Sequence, residues 1–151
     1  MPYTISEAAA RMHLSAPTLR YYDKEGLLPF VDRSASGVRV FKESDFEWLR
    51  LIECLKATGM PIRDIKQFID WCLEGDATLP QRRDMFRERR RAVLAQMERL
   101  QATLDIIDYK CWYYETAAKA GSDLPLQSFK PEDLPEDVRK IRERILARCG
   151  C

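Results

Sequence analysis

The sequence predicts a mainly α-helical chain: a helix-turn-helix with a small β wing, two further helices, then one long helix. Three observations carry this expectation. Two short amphipathic segments, each opened by a capping residue, are separated by a tight turn at His13-Leu14. The alternating run Val38-Arg39-Val40-Phe41 follows a turn-forming segment and reads as a short strand. A heptad pattern of apolar residues then holds over four repeats, from Phe86 to Tyr114.

Composition sets the frame. With 151 residues, 46% of them hydrophobic, the chain can bury one modest core but not two large ones. The 32% charged fraction suits long exposed helices better than a thick α/β core. No apolar run is long enough to span a membrane. Met1-Pro2-Tyr3-Thr4 also lacks the basic-then-apolar layout of a signal peptide. The expected location is therefore the cytoplasm, with no membrane partner. Five cysteines are an odd number, and a disulfide framework is not expected in a reducing compartment. A net charge of only +1 means that any binding of nucleic acid must rest on focal residues.

The elements follow in order. Thr4-Ile5-Ser6-Glu7 is a capping box that opens a short helix to about Arg11, with Ile5, Ala8, Ala9 and Met12 on its apolar side. Ser15 caps a second helix, Pro17 fits its first turn, and Gly26 stops it as a left-handed cap. Leu27-Leu28-Pro29 is extended. The turn residues 33–37 and the strand 38–41 then form a hairpin, or wing. Ser44-Asp45-Phe46-Glu47 reads as a second capping box, opening a helix to about Thr58 that stops at Gly59. Pro61 starts another helix, which ends at Glu74 before Gly75, and residues 76–80 read as a hinge.

From Gln81 to Thr116 the pattern becomes a heptad seam: Phe86, Val93, Met97, Leu100, Leu104, Ile107, Cys111 and Tyr114, with Arg90 in the single gap. At ~1.5 Å per residue that helix is roughly 50 Å long. A lone helix cannot cover such a seam, so a second subunit is expected. The resulting division is 1–75, 76–116 and a tail of 117–151. The tail is acidic to Asp137, then basic and helical from Val138 to Arg148.

This order of elements resembles the MerR family of transcriptional regulators. The resemblance rests on Tyr3-Thr4-Ile5-Ser6-Glu7, Thr18-Leu19-Arg20-Tyr21-Tyr22-Asp23, Gly26-Leu27-Leu28-Pro29, Gly37-Val38-Arg39-Val40-Phe41, Leu49 to Leu55, and Thr58-Gly59-Met60. It covers roughly residues 2 to 116. The stretch Ile52 to Met60 is similar to the thiol-dependent, aldehyde- and electrophile-responsive branch of NmlR and AdhR type. Three positions depart from the pattern: Val38 replaces a wing tyrosine, Lys42 a helix-capping serine, and Pro61 a serine. In the second departure, Ser44 is expected to take over the cap.

The resemblance implies a winged helix-turn-helix DNA-binding domain followed by a long antiparallel coiled-coil dimerisation helix. It implies a homodimer on double-stranded promoter DNA that distorts the spacer so that RNA polymerase engages both promoter elements, in a stress response. No cofactor and no catalytic residue is expected. The helix Ala16 to Glu25 enters the major groove in such a reading, with Thr18 and Arg20 on its polar side. The expected DNA-binding set is Thr4, Ser15, Thr18, Arg20, Tyr21, Tyr22, Arg33, Arg39 and Lys56. Adjacent Tyr21 and Tyr22 point about 100° apart, so one of them is open to a core reading.

Cys54 has two readings. A lone cysteine between apolar neighbours is ordinarily an inert buried residue. The resemblance makes it the sensor, with Lys56 nearby to favour the thiolate. Trp112-Tyr113-Tyr114 close the long helix either as a signal relay against the partner's DNA-binding domain or as a drug-binding pocket. Cys149-Gly150-Cys151 reads as a frayed terminus, or as soft-metal ligands completed by Cys111. His13 is a poor ligand, and no metal site is assigned. The alternatives are thus a small-molecule or metal-sensing regulator and, from another class, a thiol oxidoreductase on Cys149 and Cys151. No βαβ pattern exists to host that enzyme.

Overall fold

The computed structural model describes residues 1–150. It forms two compact units, Met1–Arg89 and a second beginning at Arg90.

In the first unit, α1 (Ile5–Arg11) opens on the expected capping box. The Thr4 hydroxyl accepts from the Glu7 amide at 3.3 Å, and the Glu7 carboxylate accepts from the Thr4 amide at 2.8 Å. The turn after α1 puts His13 at φ 56°, a left-handed conformation. Ser15 then caps α2 (Ala16–Lys24), accepting from the Thr18 amide at 3.2 Å. α2 ends at Gly26, φ 77°, where the Leu27 amide reaches back to the Tyr22 carbonyl at 2.9 Å and satisfies a terminal acceptor.

The wing is two short antiparallel strands, β1 (Asp32–Arg33) and β2 (Arg39–Val40), paired Asp32 to Val40 and Arg33 to Arg39. Phe41 continues past β2 to pair with Tyr3, through amide–carbonyl bonds of 2.7 and 2.9 Å. The chain start is thereby tied to the wing.

α3 (Asp45–Ala57) does not open on the capping box expected at Ser44, whose side chain makes no cap bond. The turn starts at Lys42 instead, and the Asp45 carboxylate accepts from the Lys42 amide at 3.0 Å. The Asp45 side chain is buried there, so the acid needs that donor. α3 ends at Gly59, φ 79°. α4 (Ile62–Glu74) packs Ile65, Phe68 and Ile69 inward, an i, i+3, i+4 stripe. The core joins these to Leu19, Tyr22, Leu27, Leu28, Phe41, Phe46, Leu49 and Ile52. Each such large apolar side chain contributes roughly 1.5–3 kcal/mol by leaving water.

The segment read as a hinge is a 3-10 turn, Asp76–Thr78, running directly into the long helix α5 (Leu79–Ala120). Two side chains stitch it to α4. The Thr78 hydroxyl donates to the Trp71 and Gly75 carbonyls, and Arg82 Nη2 donates to Gly75 at 2.9 Å. Arg89 Nε caps the end of α3 by donating to the Thr58 carbonyl at 2.9 Å.

In the second unit the tail returns on the later part of α5. A short helix α6 (Leu124–Gln127) and a 3-10 turn lead to α7 (Glu136–Cys149). Asp105, fully buried, accepts from Arg144 Nη2 at 2.8 Å, from Gln101 at 3.0 Å and from Arg148. The two guanidiniums hold its carboxyl well below the usual carboxylate range. Here α5 has two faces. One, with Asp105, Tyr109, Trp112, Thr116 and Ala117, is buried or half-buried. The other carries the heptad seam, bare from Met97 onward: Met97 is 60%, Leu100 70%, Ile107 51% and Tyr114 60% exposed.

Candidate nucleic-acid interface

The Ser15 cap and the Gly26 stop fix both ends of α2, which sets which side chains leave the core. Leu19 and Tyr22 point in; Arg20 and Tyr21 point out. Tyr21 is 48% exposed while Tyr22 is 1% exposed, so of the adjacent pair Tyr22 belongs to the core. The Ser15 and Thr18 hydroxyls share a hydrogen bond of 2.7 Å, and the Thr4 hydroxyl donates to Glu7 at 2.9 Å.

Tyr22 is not a plain core residue. Its hydroxyl donates to Glu53 and accepts from the Lys56 ammonium, both on α3. Burial, then the Glu53 carboxylate, push the phenol pKa well up and keep it neutral. Lys56 also lies over the Tyr22 ring, 5.0 Å from its centroid.

The wing arginines converge on Asp23, one position further along α2. Arg39 Nε donates to Asp23 Oδ1 at 2.8 Å, and Arg33 Nη2 reaches Oδ2 at 3.4 Å. Arg39 is held inside the fold, whereas the Arg33 side chain is 52% exposed. Behind this surface, Arg11 forms a bidentate pair with Glu43, donates to the Tyr3 hydroxyl and stacks over Phe46 at 4.2 Å. That arrangement lowers the Glu43 pKa and raises that of Arg11.

Sequence reasoning missed Asp23, Glu53 and the Arg11–Glu43 pair. A signal for Asp23 was available: a carboxylate on a helix expected to approach phosphates needs an internal cation.

Cys54 is exposed on α3, which removes the buried reading. Lys56, expected near its sulfur, sends its ammonium to Tyr22 and Glu53. A shallow hollow of about 260 Å³ is bordered by Glu47, Trp48 and Leu51 on the same helix. In the second unit, Trp112 lies 6.4 Å from Phe129, and the Tyr113 hydroxyl donates to Asp123 at 3.1 Å. Tyr114 stays exposed. Among the described residues no group of three His, Cys, Asp or Glu side chains gathers as a metal site would. Cys151 lies outside the described residues. No described helix is long and apolar enough to cross a membrane.

Residues 3–70 match the family model described as MerR HTH family regulatory protein, and residues 46–108 match the model MerR, DNA binding. A transcriptional regulator of Haemophilus influenzae is 43% identical over 122 residues, 81% of this chain and 90% of that one. The chain belongs to the MerR family. Among MerR-type relatives, AdhR of Bacillus subtilis is 33% identical over 90 residues, 60% of this chain and 64% of its own length. Among solved structures, HiNmlR, a MerR family regulator lacking the sensor domain and bound to promoter DNA, shares 43% identity at a TM-score of 0.62. It covers 82% of this chain and 98% of HiNmlR. A MerR family regulator from Bacillus thuringiensis shares 43% identity at a TM-score of 0.59, covering 74% and 97%.

Proposed function

We propose that this MerR-family regulator acts in the cytoplasm as a homodimer on double-stranded promoter DNA and distorts the spacer for RNA polymerase. The observation that carries this reading is the surface of the first unit. α2, fixed at both ends, turns Arg20 and Tyr21 outward, and the wing that holds Arg33 is tied to the same helix through Arg39. The solved relative bound to promoter DNA supports the same reading. Arg20, Tyr21 and Arg33 contact DNA. Thr4, Ser15, Thr18, Tyr22, Arg39 and Lys56 contribute by setting the helix ends and holding α2 against α3 and the wing. The second copy is called for by the bare seam on α5, since a stripe of exposed leucine, isoleucine and methionine is costly in water.

The signal enters at Cys54. Its thiolate adds to the carbonyl carbon of an aldehyde while the oxygen takes up a proton, giving a hemithioacetal. Cys54 shares α3 with Glu53 and Lys56, the two residues that hold Tyr22 of α2. An adduct there biases how α3 carries the recognition helix, and it switches the regulator only by favouring one arrangement. The test is transcription in vitro from the chain's own promoter. Cys54→Ser should dimerise and bind DNA but lose the response to formaldehyde. Substitution at Cys72, Cys111, Cys149 or Cys151 should leave that response intact. A response that survives Cys54→Ser and disappears in Trp112→Ala or Tyr114→Ala instead favours a ligand site at the end of α5.

A further inference from the structure

We infer that Asp23 is the internal counter-ion that locks the wing to the recognition helix through Arg39 and releases Arg33 to a phosphate when DNA binds. This rests on the DNA-binding reading above.

The two arginines are held very differently. Arg39 is 18% exposed, and both its Nε and its Nη2 bond Asp23 Oδ1, at 2.8 and 2.5 Å. Its Nη1 donates to the Val31 carbonyl at the base of the wing. A guanidinium bonded on three nitrogens and shielded from water cannot leave without stranding Asp23 and the carbonyl. Arg33 is half in solvent and reaches Asp23 Oδ2 only at 3.4 Å, a long pair of the kind that contributes little in water. Its other nitrogen donates to the Gly37 carbonyl at 2.8 Å, which keeps the side chain over the wing tip.

The charges explain why a carboxylate is tolerated on this face. Alone, Asp23 would repel the DNA backbone. With both arginines the cluster carries one net positive charge, matched to one phosphate. An approaching phosphate competes with Asp23 for the loosely held Arg33, while Arg39 stays and keeps the carboxylate neutralised. Asp23 is thus a positioning residue, and Arg33 is the contact it supplies.

Two measurements on the full chain test this. In DNA-free protein, hydrogen exchange follows the Ser34 and Val38 amides, which bond across the wing tip. Binding is then measured against salt, on a duplex from the region upstream of the chain's own gene and on a random duplex of equal length. Asp23→Ala and Arg39→Ala should each speed wing exchange about tenfold and weaken binding to the upstream duplex about tenfold, with an unchanged salt slope. Arg33→Ala should keep the wing protected but lower the slope by about one, the loss of a single phosphate contact. Normal wing protection in Asp23→Ala, or tighter binding by it, overturns the inference. So does an equal fall in slope for Arg39→Ala, which would make Arg39 a second phosphate contact. If the wild type does not prefer the upstream duplex, the DNA reading fails, and the exchange data still decide whether Asp23 locks the wing.

Discussion

The Lys56 ammonium on α3 donates to the Tyr22 hydroxyl on α2, thirty-four positions away in sequence. Glu53 accepts the proton of the same hydroxyl. One phenol therefore joins an anion and a cation of one helix to the core side of another. Removing it by Tyr22→Phe leaves both α3 charges without their shared partner. The expected cost is about 1–2 kcal/mol of stability, since hydrogen bonds to charged groups are the stronger ones. Denaturant unfolding checks this, and a loss of a few tenths would mean that water replaces the hydroxyl at no cost.

The bare seam on α5 makes a second prediction. Leu100→Lys with Leu104→Lys places two ammonium groups where two leucines should meet a partner. The pair of changes forfeits roughly 3–6 kcal/mol of apolar burial from each subunit, at ~1.5–3 kcal/mol per leucine. Sedimentation should show a dimer for the wild type and a monomer for the variant. A wild-type monomer at micromolar concentration would remove the dimer from the account.

The attachment of α7 should resist acid. Asp105 has its pKa depressed by Arg144 first and Arg148 next. A depressed carboxylate contributes stability that is fully present above its ordinary value and lost as pH falls through the folded value. The contacts of α7 on α5 should thus persist through the range where ordinary aspartates protonate, and fail only in stronger acid. Chemical shifts of the Arg144 and Arg148 side chains report this directly. Asp105→Asn should remove the acid transition and leave α7 loosely held at neutral pH.

Much of this was legible in the sequence because local rules act over a few residues. Thr4 with Glu7, and Ser15 before Pro17, specify helix starts wherever they stand, and the heptad seam announces itself over four repeats. The Ser44 cap failed because Asp45, once buried, needed the Lys42 amide more than Ser44 needed the Glu47 amide. The contacts that organise the candidate site are long-range. Tyr22 to Glu53, Asp23 to Arg39 and Asp105 to Arg144 each join residues that no periodicity relates. Cys54 was ambiguous because exposure depends on which face of α3 meets the core. The tail could not be placed at all until Asp105 showed what its arginines hold.

Arg20 is the exposed cation nearest the middle of α2. If it reads a base, Arg20→Ala should cost about 1–3 kcal/mol on the upstream duplex and much less on random DNA. Equal losses on both duplexes would instead assign Arg20 to a phosphate.

The most direct test of the central claim is hydroxyl-radical footprinting of the region upstream of the chain's own gene. A dimer that distorts the spacer should protect two half-sites related by two-fold symmetry. Their spacing should match whole turns of DNA, with altered reactivity at the centre where the spacer is distorted. Both half-sites should vanish together in the Leu100→Lys, Leu104→Lys variant. Uniform protection that spreads with protein concentration and is equal on random DNA would contradict it.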